Sequence, residues 1–138
     1  MQRLSAKAQY ACQAMLQLAA DATLECPTTI RRLADIQQLP ERFLVQVLSE
    51  LKRAGLVAST RGAAGGYRLA RDRGDISLWD VIVAVDGEAK REAAPGQPLA
   101  ELLEAELGEA EQAYRECLES SSLGALLDKA TLSPMWHI

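Results

Sequence analysis

Glu41, Arg42, Phe43, Val45 and Gln46 stand within six residues of one another, directly after Pro40. An arginine offers two parallel donors to guanine, a glutamine the donor and acceptor that match adenine, and a glutamate an acceptor for cytosine. Phe43 can press on a thymine methyl or turn inward as core, and the residues alone leave both open. A second set, Ser5, Lys7, Tyr10, Thr28 and Thr29, lies at expected helix starts, where N–H groups and the positive end of the dipole suit phosphate. For Ser5 and the threonines, helix capping is the alternative. Arg61 stands at the base of a glycine-rich stretch and suits a narrow minor groove.

Catalytic or metal chemistry has less to work with. His137 is the sole histidine, and no second catalytic group is placed near it by spacing. Cys12, Cys26 and Cys117 are far apart and odd in number, which is neither a disulfide framework nor a CxxC pattern. They read as small buried hydrophobes or as a thiol switch. No catalytic residue, metal site or cofactor is therefore expected.

These side chains need elements to hold them. Residues 4–20 read as a helix with Ala8, Ala11, Cys12, Met15, Leu18 and Ala19 on one face. A turn at Cys26 and Pro27 leads to a short helix with Ile30, Leu33 and Ala34 inward. After residues 37–39, with Pro40 at the first helical position, comes a third helix whose Leu44, Val47, Leu48 and Leu51 form an i, i+3, i+4, i+7 stripe ending near Gly55. Two helices so joined are a helix-turn-helix candidate. Residues 56–59 and 67–70 read as strands around the glycine-rich tip, a hairpin or wing. A phosphate-cradling loop would need a GK[ST] ending and a following helix, which are absent. Residues 76–85 read as a helix capped by Ser77 and closed by Gly87.

Residues 88–98 are polar with proline and glycine, and read as a linker. A long helix extends from Leu99 to about Leu118, with a stripe of Leu99, Leu102, Leu103, Leu107, Ala110, Ala113, Tyr114, Cys117 and Leu118 opposite its glutamates. Separated from the domain, that stripe predicts packing against a second copy. A short helix over 123–130 precedes the apolar tail of residues 135–138, for which burial at that interface, around Trp136, is the expectation. The fold class expected is mostly α with a small β-hairpin: a winged helix-turn-helix domain over 1–87, a linker over 88–98, and a dimerisation segment over 99–138.

Charge divides along the same line. Residues 1–73 carry 11 Lys/Arg against 6 Asp/Glu, a balance of +5, whereas 74–138 carry 4 against 13, a balance of −9; together they make the net −4. One half suits phosphate and the other is kept from it. Lys52 and Arg53 are as readily a solvated face. No apolar run reaches the roughly 20 residues of a membrane span, and the polar first helix lacks a signal-peptide layout. A cytoplasmic location is expected.

Several blocks are also similar to a known family. Leu4-Ser5-Ala6-Lys7 with Tyr10-Ala11, Gly55-Leu56-Val57, Ser59-Thr60-Arg61-Gly62 with Gly65-Gly66-Tyr67, Ile76-Ser77-Leu78 with Asp80-Val81-Ile82, Ala84 through Gly87, and Ser122-Leu123-Gly124-Ala125-Leu126 resemble, in order, the motifs of the IscR/NsrR/CymR family of bacterial winged-helix regulators. The resemblance implies a DNA-binding homodimer, joined by crossed long helices, that reads a palindromic operator and commonly represses. It adds Tyr67, at the end of the wing motif, to the DNA-facing residues. Several members bind an iron–sulfur cluster through three cysteines in the loop before the long helix; residues 88–98 here contain none, so a clusterless member is expected. The chain also departs at Ala63-Ala64, where the family has proline and glycine, and at Val45, where cluster-sensing relatives often carry glutamate. A winged module that binds protein, or a DNA-binding sensor switched by a thiol, a small ligand or an atypically bound cluster, are the alternatives. The effector is not predicted.

Overall fold

A computed structural model describes residues 4–63, 65–88 and 96–132. The linker centre, the wing tip residue 64, and the tail with Trp136 and His137 lie outside the described residues.

The first helix, α1 (Ala6–Ala20), starts where Ser5 accepts a hydrogen bond from the Ala8 N–H at 2.9 Å. Its inward face carries Ala8, Ala11, Ala14, Met15, Leu18 and Ala19, all buried. Four alanines make that face flat, so neighbouring helices approach closely. A 3-10 turn (Asp21–Thr23) then bends the chain toward α2 (Ile30–Gln37), capped by Thr29. Helix α2 stops at Gln38, whose φ of 54° is left-handed. Pro40 is the residue before α3 (Glu41–Arg53) rather than its first member. At that N-cap position an N–H would have no partner in the helix ladder, so its absence costs nothing, while the carbonyl still accepts from Phe43 and Leu44. Leu44, Val47, Leu48 and Leu51 are wholly buried, as the stripe requires.

Strands β1 (Val57–Thr60) and β2 (Gly66–Leu69) form an antiparallel hairpin in the register Val57↔Leu69 and Ser59↔Tyr67. After a second 3-10 turn (Arg73–Asp75) comes α4 (Leu78–Asp86). It begins two residues later than the apolar pattern suggests: Ile76 is a buried extended residue, and Ser77 with Asp80 makes a reciprocal capping box. Helix α5 (Pro98–Glu119) is 22 residues long, about 33 Å, with proline in its first turn and no buried residue. The fold is thus mostly helical with one small hairpin, as expected.

The last helix, α6 (Leu123–Leu132), falls in the expected dimerisation segment over 99–138 and is docked on the winged unit of its own chain. It packs on α1 and the second 3-10 turn. The Leu78 N–H donates to the Ser121 carbonyl and the Leu123 N–H to that of Ile76, both at 2.9 Å. Leu123 is wholly buried in the core of the winged unit. Along α5 the chain runs back to that unit.

Candidate nucleic-acid interface

Burial of its apolar stripe orients α3. With Leu44, Val47, Leu48 and Leu51 inward, the opposite side exposes Glu41, Arg42, Val45 and Gln46. Neither Arg42 nor Gln46 has a hydrogen-bond or ion-pair partner among the described residues, so both present their full donor sets. Phe43 behaves differently. It packs at the edge of the core and meets Tyr10 of α1 edge to face, with centroids 5.8 Å apart and planes at 88°. The structure takes the inward alternative for Phe43 and leaves Tyr10, 37% exposed, at the rim.

Thr29 and Arg31, at the start of α2, are exposed beside this surface. Arg61 is exposed just beyond β1, before Gly62, whose φ of 105° turns the chain. Three elements therefore offer a recognition face, a helix start and a wing arginine. Lys52 does more than solvate a face: its ammonium donates to the Ser59 hydroxyl at 2.7 Å, bracing the wing against α3.

Other expected contacts are engaged internally. Thr28 is 4% exposed, and its hydroxyl donates to Asp21 at 2.9 Å, so that hydroxyl faces the protein rather than a phosphate. The Ser5 hydroxyl donates to the Asp86 carboxylate at 2.7 Å, which already places an anion at the start of α1. The Lys7 ammonium is paired with Glu50 at 2.7 Å. Tyr67 is half-buried against the core, with its main chain bonded to Thr28. Sequence reasoning missed Arg31, Arg32 and Asp21. Two adjacent arginines in the first turn after a threonine cap were the available signal. Arg32, followed by Thr28 and Gln17, holds the Asp21 carboxyl below its ordinary value against the opposing cost of burial.

The three thiols lie on separate elements: Cys12 on α1, Cys26 exposed after the first 3-10 turn, and Cys117 exposed on α5. Burial, with a smaller contribution from Asp86, pushes the Cys12 thiol up to about 11. A thiol held protonated is a poor metal ligand. Among the described residues, no three His, Cys, Asp or Glu side chains converge as metal ligands. Among the described residues these donors do not converge on an iron–sulfur centre within one chain. Along α5, Leu99, Leu102 and Leu103 are 81%, 63% and 57% exposed, and Ala110 and Cys117 are exposed. Leu107, Tyr114 and Leu118 are half-buried. Among the described residues no helix is long and apolar enough to cross a membrane.

Comparison with known proteins agrees with this geometry. The Rrf2 family model, described as iron-dependent transcriptional regulator, matches residues 4–129. The HTH-type transcriptional regulator IscR of Photobacterium profundum is 43% identical over 84 residues, covering 61% of this chain and 48% of that protein. The chain thus spans about half the length of the curated relatives it matches. Among solved structures, T. potens IscR superimposes with a TM-score of 0.78 at 33% identity, covering 94% of this chain and 88% of that one. CymR, the global cysteine regulator of B. subtilis, does so with a TM-score of 0.80 at 31% identity, covering 94% and 98%.

Proposed function

The chain belongs to the Rrf2 family of transcriptional regulators, and from that premise we propose that it acts as a homodimer on a palindromic operator, without an iron–sulfur cluster. The observation that carries this reading is the division of α3. Every leucine on it is buried, while Arg42, Val45 and Gln46 face outward, and the wing arginine Arg61 is exposed as well. In a helix-turn-helix the second helix enters the major groove, and its outward side chains meet base edges there. Arg61 then reaches the neighbouring minor groove, and Thr29 with Arg31 meets phosphate. The exposed leucines of α5 supply the surface for a second copy. Two copies related by a twofold axis require an inverted repeat with half-sites about one helical turn apart.

Bound over a promoter, such a dimer excludes polymerase, so we assign it repression; it works on DNA in the cytoplasm and carries no enzymatic activity. Sheared DNA from the source genome, retained on the purified protein at near-physiological salt and sequenced, should yield one shared inverted repeat. Transcription from a template carrying that repeat should fall as protein is added. Retention without a shared motif that vanishes as salt rises would reduce the interaction to phosphate attraction.

A further inference from the structure

The wing of this protein is tied to the start of α2 through one buried carboxylate. Asp21 is 6% exposed, and both its oxygens are fully used. Oδ1 accepts from Gln17 Nε2 at 2.9 Å and Arg32 Nη2 at 3.1 Å. Oδ2 accepts from Arg32 Nε and from the Thr28 hydroxyl, both at 2.9 Å. One group thus joins the end of α1, the segment before α2, and α2 itself.

Thr28 carries the connection onward. Its N–H donates to the Tyr67 carbonyl at 3.0 Å, and the Tyr67 N–H donates back at 2.7 Å, an antiparallel bridge onto β2. The Arg68 guanidinium donates to the carbonyls of Leu24 and Glu25, fastening the same strand to the same segment. Close approach makes this possible: a Cβ on Gly66 would lie 2.6 Å from the Thr28 carbonyl oxygen. The return strand of the wing therefore rests on residues 24–28. That segment is anchored at Asp21 through Thr28 and, beyond Thr29, through Arg32.

We propose that Asp21 is a positioning residue for the DNA-contacting surface, setting the wing arginine Arg61 in register with the phosphate-facing start of α2. It touches no DNA itself. This role rests on the function proposed for the chain, and it differs in kind from a purely structural one. A carboxylate that merely stabilised the end of α1 would weaken the fold without changing what Arg61 contributes. A carboxylate that sets the wing makes the contribution of Arg61 depend on it.

The test uses the full chain with Asp21→Ala, Arg32→Gln, Arg61→Ala and the double combinations with Arg61→Ala. Binding is measured by fluorescence anisotropy on the inverted repeat and on unrelated duplex. In the wild-type background Arg61→Ala should weaken specific binding by about tenfold; combined with Asp21→Ala or Arg32→Gln, its added effect should shrink below about twofold. Arg32 is half-exposed, so Arg32→Gln keeps the test alive if Asp21→Ala does not fold. Hydrogen exchange at the Thr28 and Tyr67 amides, monitored without DNA, should accelerate in both variants while the amides of α3 keep their protection. Effects that simply multiply, or unchanged exchange at Thr28 and Tyr67, overturn the proposal. If the wild type selects no sequence yet exchange responds as expected, the functional reading fails and the mechanical link stands.

Discussion

Arg42 and Arg61 are both exposed guanidiniums, yet their positions predict different losses on truncation. Arg42 is exposed on the outward face of α3, where the proposed function puts it at a base edge. Arg42→Ala should relax the preference at one base pair by about 1–3 kcal/mol while leaving the salt dependence nearly intact. Arg61, on the wing, should lower affinity more evenly across sequences and reduce the salt slope by about one. Anisotropy titrations on single-base operator variants at several salt concentrations separate the two. Cys12 supports a prediction of another kind. Its thiol is held up to about 11 from an ordinary 9.0, so its neutral form is favoured in the fold. The associated stability is complete below 9.0 and is lost as pH rises through about 11. Thiol alkylation at about pH 8, just below the ordinary thiol range, read by mass spectrometry, should reach Cys26 and Cys117 well before Cys12, which should react only after denaturation. Fast labelling of Cys12 in the folded protein would contradict its packing against the core.

At the junction of α4 with the segment before α6, a single hydroxyl caps an element. Ser77 accepts from the Asp80 N–H at 3.1 Å while Asp80 accepts from the Ser77 N–H at 2.9 Å. Ser77→Ala should cost about 1 kcal/mol in urea unfolding, and an unchanged midpoint would show the cap to be dispensable. That cap was legible in the sequence, as were the stripe of α3 and the hairpin, because each is written within a few neighbouring residues. The outward set on α3 came from the same periodicity. Other features are not local. Lys7 meets Glu50 across 43 positions and Ser5 meets Asp86 across 81, so no spacing rule turns them from phosphate toward carboxylates. Phe43 suited two environments equally, and the ring of Tyr10 settled its direction. The docking of α6 was hidden for a similar reason. A short apolar helix after a long one fits a second subunit as readily as its own domain, until the backbone pairing of 121–123 with 76–78 is seen.

At the scale of the molecule, Leu99, Leu102 and Leu103 at the start of α5 are the most exposed large apolar side chains among the described residues. Leu102→Asp should convert a dimer into monomers in sedimentation velocity and abolish binding to the full inverted repeat, while helical content by circular dichroism stays near wild type. A dimer that survives the change would move the interface away from these positions. Helix α5 is also held unequally along its length. Near its C-terminal end Arg115 lies over the Trp79 ring at 5.3 Å, and the chain is then stitched to Ile76 and Leu78. Leu99 and Leu102, near the other end, have no comparable attachment among the described residues. In the proposed dimer, α5 is in mechanical terms a lever whose fulcrum sits on the winged unit and whose N-terminal end meets the second copy. Over its roughly 30 Å, a tilt of about 10° at the fulcrum moves the free end by about 5 Å. Under the proposed homodimer, two such levers joined at their tips convert a small change in packing around Trp79 and Ser122 into a change in the distance between two reading heads, and that distance must match the pitch of the double helix.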